Sequence, residues 1–166
     1  MKKIFSVIFI LMVLSISSYA NNVKHILVLH SYHQTMSWVD DMNKAIDDVL
    51  EPSKNNYMLH VEYMDTKRKF SKEYLNFLKK LYRLKYPKIS FDIILTSDNN
   101  AYDFLKKNRD ELFGEIPVVF CGVNFFKNGD LKDVTKFTGV AEIIDAKATV
   151  NTALKLYPNT KKIFNK

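Results

Sequence analysis

The run 116–124, Ile-Pro-Val-Val-Phe-Cys-Gly-Val-Asn, constrains this chain more than any other stretch. It is apolar without alternation, rich in β-branched residues, opened by Pro117 and closed by Gly122 and Asn124. A strand with one wet face alternates polar and apolar residues, whereas a strand buried on both faces reads as a continuous apolar run. The stretch is therefore expected to be a central strand of a sheet covered on both sides. Its carboxyl end, 121–124, then lies where open α/β sheets hold their ligands, in the crevice beyond the strand ends.

Other extended segments recur along the chain, separated by helical patterns, and the one at 57–64 alternates. Residues 24–30 read as the first strand, 57–64 as the second, 91–96 as the third and 137–141 as a short fifth. Between the first two, Ser37-Trp38-Val39-Asp40 has the form of a capping box. Trp38, Met42, Ala45, Ile46, Val49 and Leu50 then recur at helical spacing, with Pro52 just past the end. Ser71 is placed to cap a helix with the stripe Tyr74, Leu75, Leu78, Leu81 and Tyr82. Asp98 is placed to cap another through Ala101, Tyr102, Leu105 and Leu112, closed by Gly114. Asp145 is placed to cap a fourth helix, which Pro158 ends, and 161–164 resembles the start of a sixth strand. The four prolines and four glycines fall at or near these borders. Strands alternating with helices imply right-handed βαβ units, so the fold class is α/β: an open parallel sheet of about five strands with helices on both faces.

The first twenty residues have another character. Lys2 and Lys3 precede an apolar run over 4–16 broken only by Ser6 and Ser15, and Ser18-Tyr19-Ala20 offers the small residues a signal peptidase reads. As a helix the run would be roughly 20 Å long, short of the roughly 30 Å hydrocarbon core of a bilayer. Residues 1–20 are thus expected to be a cleavable secretory signal and 21–166 an exported, periplasmic or extracytoplasmic domain. Removing Lys2 and Lys3 lowers the formal charge from +7 to +5, only mildly basic. The densest basic face, Lys79, Lys80, Arg83, Lys85 and Lys88, suits an acidic partner or a lipid surface but reads first as a solvated helix face. No nucleic-acid recognition motif is visible, and export argues against nucleic acid as a partner.

On such a sheet the strand ends present Ser31, Tyr32 and His33, then Asp65, Thr66, Lys67 and Arg68. Later strands add Ser97, Asp98 and Asn99, then Gly122 and Asn124, and last Glu142. Short polar groups on rigid supports suit a small-molecule site, and the candidate ligand contacts are Ser31, Tyr32, Asp65, Ser97, Asp98, Asn99, Gly122 and Asn124. Each has a structural alternative: Asp98 as a helix cap alone, Ser31 as a strand end, Asp65 with Lys67 and Arg68 as a surface ion pair. No catalytic residue, metal or cofactor is expected. His25, His30, His33 and His60 lack the spacing of a zinc site. Cys121, the single cysteine, excludes an intramolecular disulfide and reads as a small apolar filler sooner than as a thiol nucleophile. Ser-Tyr-His-Gln stands after the first strand where a dinucleotide-binding domain has its glycine loop, which disfavours a Rossmann nucleotide site. A phosphoacceptor receiver domain is disfavoured by the export signal and by the missing acid pair after the first strand.

Several ordered motifs resemble a known family. They are His30-Ser31-Tyr32-His33 with Trp38 and Asp40-Asp41, Glu62-Tyr63-Met64-Asp65-Thr66-Lys67-Arg68 and Ser97-Asp98-Asn99-Asn100-Ala101. Arg109-Asp110-Glu111-Leu112-Phe113 and the run 117–124 complete the set. Together, over about residues 24–163, they resemble the extracytoplasmic solute-binding domain related to ABC transporter substrate-binding proteins. That domain stands at the N-terminus of many bacterial sensor histidine kinases and diguanylate cyclases. The resemblance implies the type I periplasmic-binding-protein fold, two α/β lobes closing on a small-molecule solute. Residues 21–166 would be the first lobe of a chain truncated before the second. Implied partners are that second lobe and membrane-anchored signalling modules, or a permease if the protein serves a transporter. The expected function is solute sensing without enzymatic activity; the alternatives are a transporter's binding component and, further off, a thiol enzyme using Cys121. Asp65, Asp98 and Glu142 favour a cationic or hydroxyl-rich solute, while Lys67 and Arg68 argue the other way.

Overall fold

A computed structural model describes residues 23–132, 134–143 and 145–164. The expected signal segment 1–20 lies outside the described residues. The elements run β1 (Lys24–His30), α1 (Ser37–Leu50), a short α2 (Pro52–Asn55), β2 (Tyr57–Tyr63), α3 (Lys72–Lys85), β3 (Ile93–Ser97) and α4 (Asn99–Phe113). After them come β4 (Val118–Asn124), a 3-10 turn (Asn128–Leu131), β5 (Phe137–Glu142) and α5 (Ala146–Leu156). The five strands form one sheet in the order β2-β1-β3-β4-β5, each neighbouring pair parallel. This is the open parallel α/β sheet expected from the strand and helix alternation, with the 116–124 run inside the sheet as β4.

Burial follows the strand period. Leu27 and Leu29 of β1, Ile94 of β3, Val118 and Phe120 of β4 and Phe137 of β5 face one side. There they pack with Leu78 and Tyr82 of α3 and with Ala101, Tyr102, Phe104 and Leu105 of α4. Aromatic rings bind this layer together, Tyr102 meeting Phe120 at 4.9 Å and Tyr82 meeting Phe104 at 5.9 Å between centroids. Arg109 is buried among them. Its guanidinium donates to the carbonyls of Ile116 and Thr135 at 3.2 and 2.8 Å and stacks 4.9 Å from the Phe137 ring, tying the end of α4 to the entries of β4 and β5. The opposite face carries Val28, Leu95 and Val119, and α1 covers part of it through Met42 and Ile46.

Three helix starts match the sequence reading: Ser71 accepts from the Tyr74 amide, Asp98 from Asn99 and Asp145 from Ala148. The expected box at Ser37 does not form. Ser37 is the first residue of α1, the N-cap position is Met36 with no side-chain cap, and the Asp40 carboxylate accepts from the Thr35 amide at 3.3 Å. Thr35 has φ 72°, so the loop arrives one residue out of phase for a serine cap. Within α1 the buried residue is Val39; Met42 and Ile46 are half-buried and Ala45 and Val49 exposed, so the stripe read from spacing is turned. Pro52 does not merely follow α1; it opens α2, as suits a residue with no amide to leave unpaired. Residues 161–164 are not a strand, and none of the α5 residues is buried. Lys79 and Arg83 of the basic face pair with Glu111 of α4, and Lys85 pairs with Glu62.

Candidate ligand site at the carboxyl crest of the sheet

Chain order reverses at β1: the first connection leads to β2 on one side, and β3 enters on the other. Loops therefore leave the carboxyl ends of β1 and β3 in opposite directions, which opens the crevice where ligands of such sheets bind. The structure brings Ser31, Tyr32, Ser97, Asp98, Asn99, Gly122 and Asn124 to this crest, with Asp65 alongside at the end of β2.

They do not share one role. Ser31, Thr66 and Ser97 are at most 5% exposed. Ser31 Oγ donates to the Ser97 carbonyl and accepts from the Ala101 amide, both at 2.8 Å, which staples β1 to β3 and to the first turn of α4. Thr66 Oγ1 donates to the Ser31 carbonyl at 2.7 Å and accepts from Asn100. Ser97 Oγ meets His30 Nδ1 at 2.7 Å. Asn43 donates to the Tyr63 hydroxyl through its amide nitrogen, so its Oδ1 accepts from His30 Nε2–H at 2.9 Å and leaves Nδ1 to accept from Ser97. Burial holds the His30 imidazole below its ordinary value, only partly opposed by the Asn43 bond, so the ring is neutral. These hydroxyls are engaged in the scaffold and hold the crest from beneath.

Asp98 is the focus of what stands above. Its backbone lies at φ 69° and ψ 166°, a region that is essentially glycine's alone and costs other residues about 1–3 kcal/mol. Four attachments hold it there. Its amide donates to the Cys121 carbonyl at 2.9 Å, and its carbonyl accepts from the Tyr102 amide at 3.2 Å. Oδ1 accepts from the Asn99 amide at 2.6 Å, and Oδ2 accepts from the Tyr32 hydroxyl. That hydroxyl is pushed well above the usual tyrosine range, by burial first, then by the bond to Asp98 and the charges of Asp98 and Glu142. Asn99 and Asn124 bond reciprocally, at 3.0 and 2.9 Å, and so join the start of α4 to the end of β4. The Asn124 Oδ1 atom is buried without a partner.

Gly122 has φ 65°, and a Cβ there would stand 3.0 Å from the Trp38 ring. It sits where the β4–β5 register slips between Cys121 and Val123. Trp38, which helical spacing assigns to the apolar stripe of α1, instead lies on this crest. It is tilted 57° to Tyr32 at 5.9 Å and lines a hollow of about 340 Å³ with Met42, Gly122, Ala141 and Glu142. Lys67 places its ammonium 4.4 Å over the Tyr32 ring, and Arg68 pairs with Asp65 at 3.2 Å. His33 Nδ1 and Asp65 Oδ1 face each other at 3.5 Å without a hydrogen bond.

Cys121 borders that hollow and also lines an apolar cavity of about 190 Å³ under α1, with Val28, Met42, Ile46, Leu95 and Val119. Burial pushes its thiol up, and the Asp98 charge adds to this, so it is less ionised than a free cysteine. Among the described residues no group of three His, Cys, Asp or Glu side chains could hold a metal ion, and no helix is long and apolar enough to cross a membrane. Comparison with known protein families, with curated proteins and with solved structures finds no match.

Proposed function

We propose that this chain is a solute-binding lobe of a bacterial extracytoplasmic sensor, seating a small molecule on the crest formed by Tyr32, Trp38, Asp98, Gly122 and Asn124. The observation that carries the reading is Asp98, an aspartate at the switch point held in glycine's backbone region by four attachments. Strain of this kind persists where the surroundings over-determine it, and it clusters at ligand sites. The crest is one wall of a cleft; closure of a second lobe over the solute would bias a signalling equilibrium by the difference in affinity between open and closed states.

A thermal-shift screen of the full chain, purified after export, against amines, amino acids, sugars and organic acids tests it. A solute at ten times its dissociation constant should stabilise the fold by about 1.4 kcal/mol, and Asp98→Ala should abolish the shift. If no solute of any class stabilises the wild-type chain, the crest is not a binding site. Mass measurement of the exported protein checks the placement: loss of residues 1–20 is expected, and a cytoplasmic chain retaining Met1 would overturn it.

A further inference from the structure

The crest contains carboxylates and cations side by side, and the sequence leaves open which of them meet the solute. Their engagements decide it. Arg68 is paired with Asp65. Lys67 lies over the Tyr32 ring. The start of α4, which could attract an anion, has three of its first four amides occupied: Asn99 donates to Asp98 Oδ1, Ala101 to Ser31 Oγ and Tyr102 to the Asp98 carbonyl. Acceptors, by contrast, remain. Asn124 Oδ1 is buried with no partner. Glu142 stands at the rim of the hollow that Trp38, Met42 and Gly122 line, and its charge reaches Tyr32. The aromatic surface is already seen to take an ammonium group, since Lys67 supplies one at 4.4 Å from the Tyr32 centroid.

We propose, resting on the binding reading above, that the solute is an organic cation, an amine or quaternary ammonium, held between the Tyr32 and Trp38 rings and the carboxylates of Asp98 and Glu142. Lys67 then acts as a tethered competitor that occupies the Tyr32 face when the site is empty. Desolvating a cation against two rings is favourable only with negative charge nearby, which Asp98 supplies from below and Glu142 from the rim. Asn124 Oδ1 would accept one N–H or O–H of the solute and so satisfy an atom that the folded lobe leaves unpaired.

Trp38 is the chain's only tryptophan, so its emission reports the site directly. The test titrates the full chain with putrescine, choline and arginine, with neutral sugars, and with succinate and phosphate. A saturable change with a cationic probe is expected. Glu142→Gln should weaken it several-fold, and Lys67→Met should tighten it about two- to fivefold, because a competing ammonium is removed. Weaker binding in Lys67→Met, or saturation by a neutral or anionic probe alone, would overturn the cation assignment while leaving the crest as a binding site. Silence toward every class, in emission and in thermal shift alike, would take down both.

Discussion

Replacing Asp98 separately by alanine and by glycine isolates the backbone strain at the crest. Both variants lose the cap on the Asn99 amide and the bond from the Tyr32 hydroxyl, so these losses cancel in the comparison. Alanine keeps the cost of holding a Cβ-bearing residue at φ 69° and ψ 166°, about 1–3 kcal/mol. Glycine releases that cost but gives the unfolded chain extra freedom, about 0.4–1 kcal/mol, and is the better N-cap of the two. The balance favours Asp98→Gly over Asp98→Ala by about 1–2 kcal/mol, or roughly 3–8 °C in midpoint for a domain of this size. Urea and thermal unfolding followed by circular dichroism measure the difference. At an ordinary position the order is the reverse, with alanine the more stable. An alanine variant as stable as the glycine variant would show that Asp98 is unstrained and would remove the main support for the crest as a site.

Truncating Arg109 to alanine should destabilise the fold by about 2–4 kcal/mol, because the Ile116 and Thr135 carbonyls lose their donor in the core. Arg109→Lys should recover less than half of this, since an ammonium has neither the planar face that stacks on Phe137 nor the Nε–H that donates to Asp110; calorimetry of the three proteins decides it. His30 is held below its ordinary 6.5 by burial, so the unfolded chain takes up the proton first. Its contribution is complete above pH 6.5 and declines as the pH falls below it, by no more than about 1.4 kcal/mol per pH unit, with His60 adding in the same direction. Midpoints measured from pH 7.5 to 5 should fall, and His30→Gln should flatten the profile. The Cys121 thiol, raised by burial, should react with a disulfide reagent at neutral pH far more slowly than a free cysteine; fast labelling would revive a thiol nucleophile.

Local patterns account for most of the fold's legibility. Apolar runs identified the inner strands, because a doubly covered strand has no wet face, and alternation identified β2 at the edge; the borders moved by only a few residues, as at β3, which runs Ile93–Ser97 against the expected 91–96. Ser71, Asp98 and Asp145 were readable as caps because each meets an amide within three residues of itself. Ser37 was not, because the phase of its helix depends on how the loop through Thr35 returns from β1. Trp38 was misplaced for a related reason. Helical spacing says which residues share a stripe, but not which turn of the stripe overhangs the sheet.

The roles within the crest were a matter of partners far apart in the chain. Ser31 and Ser97 have the same chemistry as any exposed strand-end serine, and only the approach of the Ala101 amide and of His30 turns them into staples. Lys67 and Arg68 are equivalent in sequence, yet one lies over Tyr32 and the other is paired with Asp65. By itself the sequence determined the strands, most helix starts, the parallel α/β class and the set of polar residues at the strand ends, since all of these follow from periodicity and neighbouring residues. The tertiary structure alone decided which of those residues are tied into the scaffold beneath the crest and which stand above it. Strain at Asp98 and burial of Asn124 Oδ1 exist only once β1, β3 and β4 lie side by side.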